Sequence, residues 1–275
     1  ATRSATAADP VRLRIAGLVK AGELSSLAIG QAECVSIMTG AALPRGCDAV
    51  VRSEDVEALD GFISLAKPVA AFSYVRRCGE VARKGARIDL AGERVTPALA
   101  GLWATFGAGR VAVAQRPRVG VVVTGDEVVG FDSFPLPGHL RNSNGPMLAA
   151  LVEATGCTVE SVSLGRDNVE DLARRFEALG TCDAVIVSGG VAGGEFDLVP
   201  RALEAIGAEL GFSAVRMRPG KRVTFATLAG TAFYCLPGNP GGALVGFTMI
   251  ARAGLLKAMG AHQILPRPVK AVAAS

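Results

Sequence analysis

The second half of the chain alternates short apolar runs with amphipathic segments, and this pattern predicts an α/β domain. Residues 119–123 are continuously apolar, which is typical of a strand buried on both faces. The alternation predicts βαβ units and a mostly parallel sheet. Further strands are predicted at 158–164, 184–187, 212–217, 223–227 and 233–236, and helices at 146–155, 167–179, 198–206 and 241–259.

The first half of the chain has a different pattern, with short strands between residues 11 and 75. Strands are predicted at 33–37 and 49–54, and Asp60-Gly61 predicts a hairpin between 56–59 and 62–65. Residues 78–112 are irregular and spaced by glycines, except for one short helix. Thr96 is its predicted N-cap, Pro97 its first residue and Gly107 its end.

These patterns predict a division of the chain into four parts. The predicted parts are a small β-rich domain at 1–77, an extended arm or dimerisation segment at 78–113, an α/β domain at 114–260 and a tail or linker at 261–275.

Composition narrows the class of protein. Half of the 275 residues are hydrophobic, 34 are glycine, and the net charge of +4 includes no basic run of five or more. Nucleic-acid binding is therefore not expected, because it usually needs a clustered basic face. No apolar stretch approaches the ~18 residues of a membrane span, so we expect a soluble, cytoplasmic protein without a membrane partner. Six widely spaced cysteines predict reduced structural thiols rather than disulfides or a zinc site.

Acidic, glycine and proline residues follow several of the predicted strands. Because parallel strands end at one edge of a sheet, we expect the loops after them to border one ligand pocket. Carboxylates there can hold magnesium, and glycine-rich backbone can approach phosphate. The candidate loops are Thr124-Gly125-Asp126-Glu127, Gly165-Arg166-Asp167, 188–197, and Leu236-Pro237-Gly238-Asn239-Pro240.

Each of these loops also has a purely structural interpretation, which the residues alone leave open. Asp126 and Asp197 are of a residue type that commonly caps the following segment, and Asp167 with Glu170 resembles a capping box. The glycines at 189–194 fit a tight turn. The basic group at 218–222 fits either a clamp for an oxyanion or a solvated hairpin tip between two strands.

In their order along the chain, these motifs resemble the molybdopterin molybdenumtransferase (molybdenum insertase) family, to which the gephyrin E domain belongs. The resemblance implies that 114–260 is a molybdopterin-binding α/β domain preceded by a β-rich domain and a dimerising arm. It also implies a reaction in which molybdate enters adenylylated molybdopterin and AMP is released, with Mg²⁺ present. The motifs that carry it are 38–51, Arg116-Pro117, Thr124-Gly125-Asp126-Glu127, Asn142-Ser143-Asn144, Ser188-Gly189-Gly190-Val191, Pro219-Gly220-Lys221 and Leu236-Pro237-Gly238-Asn239-Pro240.

The resemblance also implies roles for individual residues. Glu127, Asp167 and Asp197 would be catalytic, and Glu127 and Asp197 would hold the metal. Arg218 would take the place of a family lysine that binds an anionic group. The implied cofactor-binding residues are Thr124, Gly125, Asp126, Ser188, Gly189, Gly190, Arg218, Lys221, Pro237, Gly238, Asn239 and Pro240.

The chain departs from the family pattern at several positions, one of which is Arg222 in place of a proline. Val81 stands where the family has an acid, Ala192 and Gly193 replace Ser-Val, and Ala214 replaces a basic residue. These departures keep an alternative open, namely a non-catalytic molybdopterin-binding or cofactor-delivery protein. An unrelated nucleotide-binding α/β domain is a third possibility.

Overall fold

The part of the chain that the structure describes, residues 5–191 and 197–271, forms two compact units. The first unit contains a four-stranded sheet and the second a six-stranded sheet. The computed structural model describes these two ranges. The units comprise residues 1–88 and 89–275. The finer division into a separate arm and tail stays a prediction.

The first unit contains a mixed sheet with strand order β2-β1-β4-β3. β1 runs parallel to β2 and antiparallel to β4. β3 and β4 form the hairpin predicted at Asp60-Gly61, where both turn residues have positive φ, at 49° and 79°. The strands are β1 (Val11–Val19), β2 (Glu33–Ile37), β3 (Glu57–Leu59) and β4 (Phe62–Leu65).

The strand predicted at 49–54 was wrong. Residues 49–52 have no regular structure, and Ser53–Asp55 forms a 3₁₀ turn. Within this turn the Arg52 guanidinium donates to the Asp55 carboxylate at 2.8 Å, so polar side chains three positions apart favour a local turn over an extended strand.

The second unit begins with the predicted short helix, α1 (Pro97–Thr105). The Thr96 hydroxyl accepts a hydrogen bond from the Leu99 backbone at 3.2 Å, as its N-cap role requires. Gly107 follows the helix with φ of 75°. The predicted start and end of this helix are therefore confirmed.

The sheet of the second unit has the order β10-β11-β12-β9-β5-β8. β12, β9, β5 and β8 are parallel, whereas β10 and β11 are antiparallel additions at one side. The mostly parallel α/β architecture is confirmed. Its elements are β5 (Arg118–Thr124), β6 (Val128–Val129), β7 (Leu140–Arg141), α2 (Asn144–Thr155), β8 (Thr158–Gly165), α3 (Val169–Ala178), β9 (Ala184–Ser188), α4 (Leu198–Ala205), β10 (Glu209–Phe212), β11 (Thr224–Leu228), β12 (Thr231–Leu236), α5 (Pro240–Gly246) and α6 (Arg252–Ala258).

The apolar run in β5 follows from burial on both of its faces. Val121 belongs to one core cluster, together with Leu148 of α2 and Leu255 of α6. The next residue, Val122, belongs to a second cluster with Phe176 of α3. Successive side chains of a strand point to opposite faces, so a sheet covered by helices on both sides needs apolar residues at every position.

Two predictions near the end of the chain need correction. The strand predicted at 212–217 was wrong, because β10 ends at Phe212 and the following residues bond locally: the Val215 backbone N–H donates to Lys221 O at 2.9 Å. Residues 218–222 therefore lie within the longer loop, 213–223, that connects the antiparallel strands β10 and β11. The helix predicted at 241–259 is interrupted by a π turn at Phe247–Ala251 between α5 and α6.

Within the described ranges all six cysteines are unpaired with one another. Burial raises the pKa of Cys157 to about 11, so this thiol stays protonated and unreactive near neutral pH. None of the helices that the structure describes has the length and apolar character needed to cross a membrane.

Candidate functional site

A cleft of about 830 Å³ opens where β5, β8, β9 and β12 end. Three predicted loops, after β5, β9 and β12, contribute to it, and Asp167 joins them from the loop after β8. Glu127 and Gly190 thus border the same space. The lining residues that the sequence predicted are Thr124, Gly125, Glu127, Asp167, Ser188, Gly189, Gly190, Lys221, Pro237, Gly238, Asn239 and Pro240.

Asp167 links the ends of two neighbouring strands. Its carboxylate accepts from the Thr124 hydroxyl at 2.7 Å and from the Asp126 backbone N–H at 3.4 Å. The Asp167 backbone N–H donates in return to the Asp126 carboxylate at 3.1 Å. Asp126 itself is exposed and is not among the residues that line the cleft. Its contribution is to fix the loop that carries Glu127.

The capping-box interpretation of Asp167 was wrong. Asn168 is the N-cap of α3, because its side-chain oxygen accepts from the Asp171 backbone at 3.0 Å. A hydrogen bond from Arg175 and another from the Arg166 backbone lower the pKa of Asp171. The start of α3 is thus stabilised by Asn168 and Asp171, and the Asp167 carboxylate bonds across to the β5 loop instead.

Glycine is required where the β9 loop meets the β5 loop and α4. Gly189 and Gly190 have φ of 106° and 63°, a region that side chains with a Cβ rarely adopt. A Cβ on Gly190 would lie 2.8 Å from the Val199 side chain of α4. This close approach places peptide groups rather than side chains on that wall of the cleft. The remainder of the predicted glycine loop, 192–196, which includes Ala192 and Gly193, lies outside the described residues.

Asn144 connects the end of β9 to the loop after β12, and it was not predicted as a site residue. Its side-chain Nδ2 donates to Ser188 Oγ at 2.9 Å and to Gly238 O at 2.7 Å. Sequence reasoning placed Asn144 near the cap of α2, whereas it is a buried residue in the first turn of that helix. The sequence signal that could have identified it is the Asn142-Ser143-Asn144 motif, which is part of the family resemblance.

The loop after β12 is held by its own cap. Asn239 Oδ1 accepts from the backbone N–H groups of Gly241 and Gly242 at 3.0 and 3.3 Å. The sequence predicted an anion site at the start of this helix. Two of its amides are already bonded to Asn239, so the wall that this loop offers consists chiefly of Pro237, Gly238 and the exposed edge of Asn239.

The cations at the cleft differ in part from those predicted. Lys221 and Arg222 line it, and Arg141 does so from β7. Arg141 is anchored because its Nε donates to Ser133 O at 3.0 Å. Arg218 is exposed and is not among the lining residues. No sequence motif marks Arg141, because a lone arginine between loops carries no recognisable spacing.

Asp197 lies in an adjacent recess of about 690 Å³, which shares Val191 and Arg222 with the main cleft. The described residues contain no cluster of three or more acidic, histidine or cysteine side chains that could enclose a metal ion. The carboxylates at the cleft still fit Mg²⁺, because this ion commonly binds one or two carboxylates, retains waters and takes its other ligands from substrate phosphates. The exposed Glu127 carboxylate on the cleft wall fits such a partial site.

Two sequence families cover most of the chain. Residues 1–107 match the MoeA N-terminal region (domain I and II), and residues 120–257 match the family described as a probable molybdopterin binding domain.

The chain is also similar to named proteins. The molybdopterin molybdenumtransferase of Staphylococcus aureus (strain COL) is 32% identical over 98% of this chain and 65% of its own length. That of Bacillus subtilis (strain 168) is 36% identical over 91% of this chain and 60% of its own length. This chain thus spans 60% to 65% of the length of these two relatives.

Solved structures agree with the sequence matches. The molybdopterin biosynthesis MoeA protein of Pyrococcus horikoshii is 33% identical, with a TM-score of 0.69 over 94% of this chain and 65% of that one. A second structure, from strain OT3, has a TM-score of 0.72 at 22% identity over 96% of this chain and 65% of that one, and shows the shared fold alone. With a MoeA N-terminal region followed by a molybdopterin-binding domain, the chain belongs to the molybdopterin molybdenumtransferase family.

Proposed function

We propose that the cleft at the ends of β5, β8, β9 and β12 binds molybdopterin and that the protein inserts molybdate into adenylylated molybdopterin, releasing AMP. The observation that carries the proposal is the meeting of Glu127, the backbone of Gly189 and Gly190, and Lys221 around one cleft. A phosphate ester and an oxyanion both need cations and oriented peptide dipoles, which these residues supply.

The basic residues and the prolines of the cleft have different roles in binding. Lys221, Arg222 and Arg141 place positive charge at the cleft and would hold the phosphates and the incoming oxyanion. The prolines at 237 and 240 restrict the backbone of the β12 loop, so that this wall loses little conformational entropy when a ligand binds.

Glu127 would hold Mg²⁺, which would supply positive charge to the phosphate that is released with AMP. The Glu127 carboxylate is the protein ligand that the geometry supports. Asp167 is committed to the Thr124 hydroxyl and the Asp126 backbone, so its role is to hold the loop on which Glu127 lies. Asp197, in the adjacent recess, would take part if the bound substrate extends into that space.

The remaining parts of the proposal concern assembly. We propose a homodimer in which the segment at 78–113 takes part, working in the cytoplasm. The motivation is that α1 has no buried residue in this single chain and that Phe106, Val111 and Val113 are exposed. Light scattering should give twice the chain mass at micromolar concentration, and a monomer mass there would contradict the dimer.

The direct test supplies adenylylated molybdopterin, Mg²⁺ and molybdate to the purified chain. Insertion predicts that pterin-bound molybdenum and free AMP appear together and that both depend on molybdate. A reaction without Mg²⁺ and one with sulfate in place of molybdate are the controls. Tight pterin binding without molybdate-dependent AMP release would contradict insertion but retain the binding site.

That last outcome describes the second candidate function, a molybdopterin-binding or delivery protein. Val81, which stands where the family has an acid, favours it, and this side chain is 58% exposed. Replacing Val81 by Asp provides the comparison: a gain in AMP release over the wild type favours an enzyme weakened at this position. AMP release that stays absent in both chains, while both bind pterin, favours the delivery protein.

A further inference from the structure

One buried amide ties together two loops of the cleft. Asn144 is 5% exposed, and its Nδ2 reaches both Ser188 Oγ at the end of β9 and Gly238 O after β12. Ser188 in turn donates its hydroxyl hydrogen to Pro237 O at 3.2 Å. A single side chain from α2 thus bonds to both of the loops that form neighbouring walls of the cleft.

The same amide leaves its oxygen without a partner. Asn144 Oδ1 is buried and makes no hydrogen bond within the described part of the chain. The amide cannot be turned over to relieve this, because Gly238 O only accepts hydrogen bonds and therefore requires Nδ2 to face it. An unpartnered buried acceptor lowers stability, since it loses its hydrogen bonds to water and gains none.

We infer that Asn144 is a positioning residue of the cleft, which holds the loop at 236–240 against the loop at 188–190 in the arrangement that binds the pterin. The large majority of buried polar side-chain atoms in folded proteins are paired. Asn144 instead uses both amide hydrogens on the two loops and leaves its oxygen unpaired. The inference deepens the proposed function and rests on it for the identity of the ligand.

Thr231 offers a matched control at the opposite edge of the same sheet. It is 2% exposed, and its hydroxyl lies within hydrogen-bond distance of Gly180 O, at 3.1 Å, and of Cys182 O, at 2.8 Å. Like Asn144, it joins a β12 terminus to a neighbouring loop through buried polar contacts. Thr231→Val removes the donor with little change of shape, far from the cleft.

The first experiment needs no ligand. Amide hydrogen exchange is compared for the wild type, Asn144→Leu and Thr231→Val over peptides that cover 188–191 and 236–242. Positioning by Asn144 predicts exchange faster by about tenfold in these peptides for Asn144→Leu alone, because the loops open locally without global unfolding. Equal exchange in Asn144→Leu and the wild type would overturn the inference, whether or not the protein binds a pterin.

The second experiment measures molybdopterin affinity by equilibrium ultrafiltration, with the thermal midpoint of each variant. Asn144→Leu should bind molybdopterin about tenfold more weakly or worse. Its thermal midpoint should fall no further than that of Thr231→Val, which should bind normally. Unchanged affinity in Asn144→Leu, or equal losses of affinity in both variants, would overturn the inference. A wild type that binds no molybdopterin contradicts the proposed function instead, and the exchange result still decides the role of Asn144.

If Asn144→Leu does not fold, Asn144→Ala replaces it in both experiments. A water molecule can then satisfy Ser188 and Gly238, but it is not attached to α2 and so does not fix the spacing of the two loops. The same differences from Thr231→Val are expected, and their absence would count equally against the inference.

Discussion

Asp126 and Asp167 lie 41 positions apart in the chain, yet each accepts a hydrogen bond from the backbone N–H of the other, at 3.1 and 3.4 Å. This reciprocal pair joins the loops after β5 and β8. It uses carboxylates that would otherwise be available to a metal ion. Glu127, the next residue along, lines the cleft together with Asp167, but its carboxylate is not part of this pair.

Glu127→Gln should abolish insertion while leaving pterin binding largely intact. The substitution keeps the size of the side chain but removes the charge proposed to hold Mg²⁺, which acts on charge that develops during the reaction. We expect AMP release to fall by at least about a hundredfold, with pterin affinity within about threefold of the wild type. Glu177→Gln, on the exposed face of α3, is the matched control. Normal insertion by Glu127→Gln would remove Glu127 from the metal site.

Lys221→Ala should weaken molybdopterin binding more than Arg218→Ala does. Lys221 lines the cleft, whereas Arg218 is exposed outside it. The loss of one hydrogen bond to a charged group predicts about 1.5–3 kcal/mol for Lys221→Ala. A surface change of less than about 0.5 kcal/mol is expected for Arg218→Ala. Affinities measured side by side at one salt concentration decide between them. The opposite order would support the role that the family resemblance gives to Arg218.

Gly190→Ala should destabilise the protein more than Gly207→Ala does. Both glycines have positive φ, at 63° and 77°, so either substitution costs about 1–2 kcal/mol of backbone strain. Only Gly190 adds a clash, because its new Cβ would lie 2.8 Å from Val199, whereas Gly207 has open space around it. Urea unfolding of the two variants isolates the clash as the difference between their free energies. Equal values would mean that the β9 loop and α4 move apart readily.

Asp171→Asn should destabilise the protein at neutral pH but not in acid. Arg175 and the Arg166 backbone lower the pKa of Asp171 in the folded state, so its stabilisation is present above the unfolded pKa of about 3.9 and is lost as the pH falls through the folded value. We expect about 1 kcal/mol at pH 7, because surface helix pairs of this kind contribute modestly. Chemical unfolding of both proteins from pH 7 to pH 3 gives the difference. A gap that persists unchanged at pH 3 would assign the effect to the helix terminus instead.

The sequence by itself determined the elements whose signals are local. The Asp60-Gly61 hairpin and the Thr96-Pro97 helix start each depend on a few adjacent residues, and both formed as predicted. The apolar run at 119–123 required burial on both faces, which fixed a mostly parallel sheet and hence the edge where the loops meet. The strand predicted at 212–217 failed because its apolar residues bond within their own loop.

Only the tertiary structure decided which side chains meet within the cleft. Asn144 bonds to residues 44 and 94 positions away, and Asp167 to one 43 positions away. Asp167 and Asn168 are adjacent in sequence, and both residue types commonly cap helices. Asn168 caps α3, because the pairing of β5 with β8 brings the Thr124 hydroxyl to the Asp167 carboxylate. A polar side chain bonds to whichever group the fold brings within about 3 Å, and local pattern carries no information about that distance.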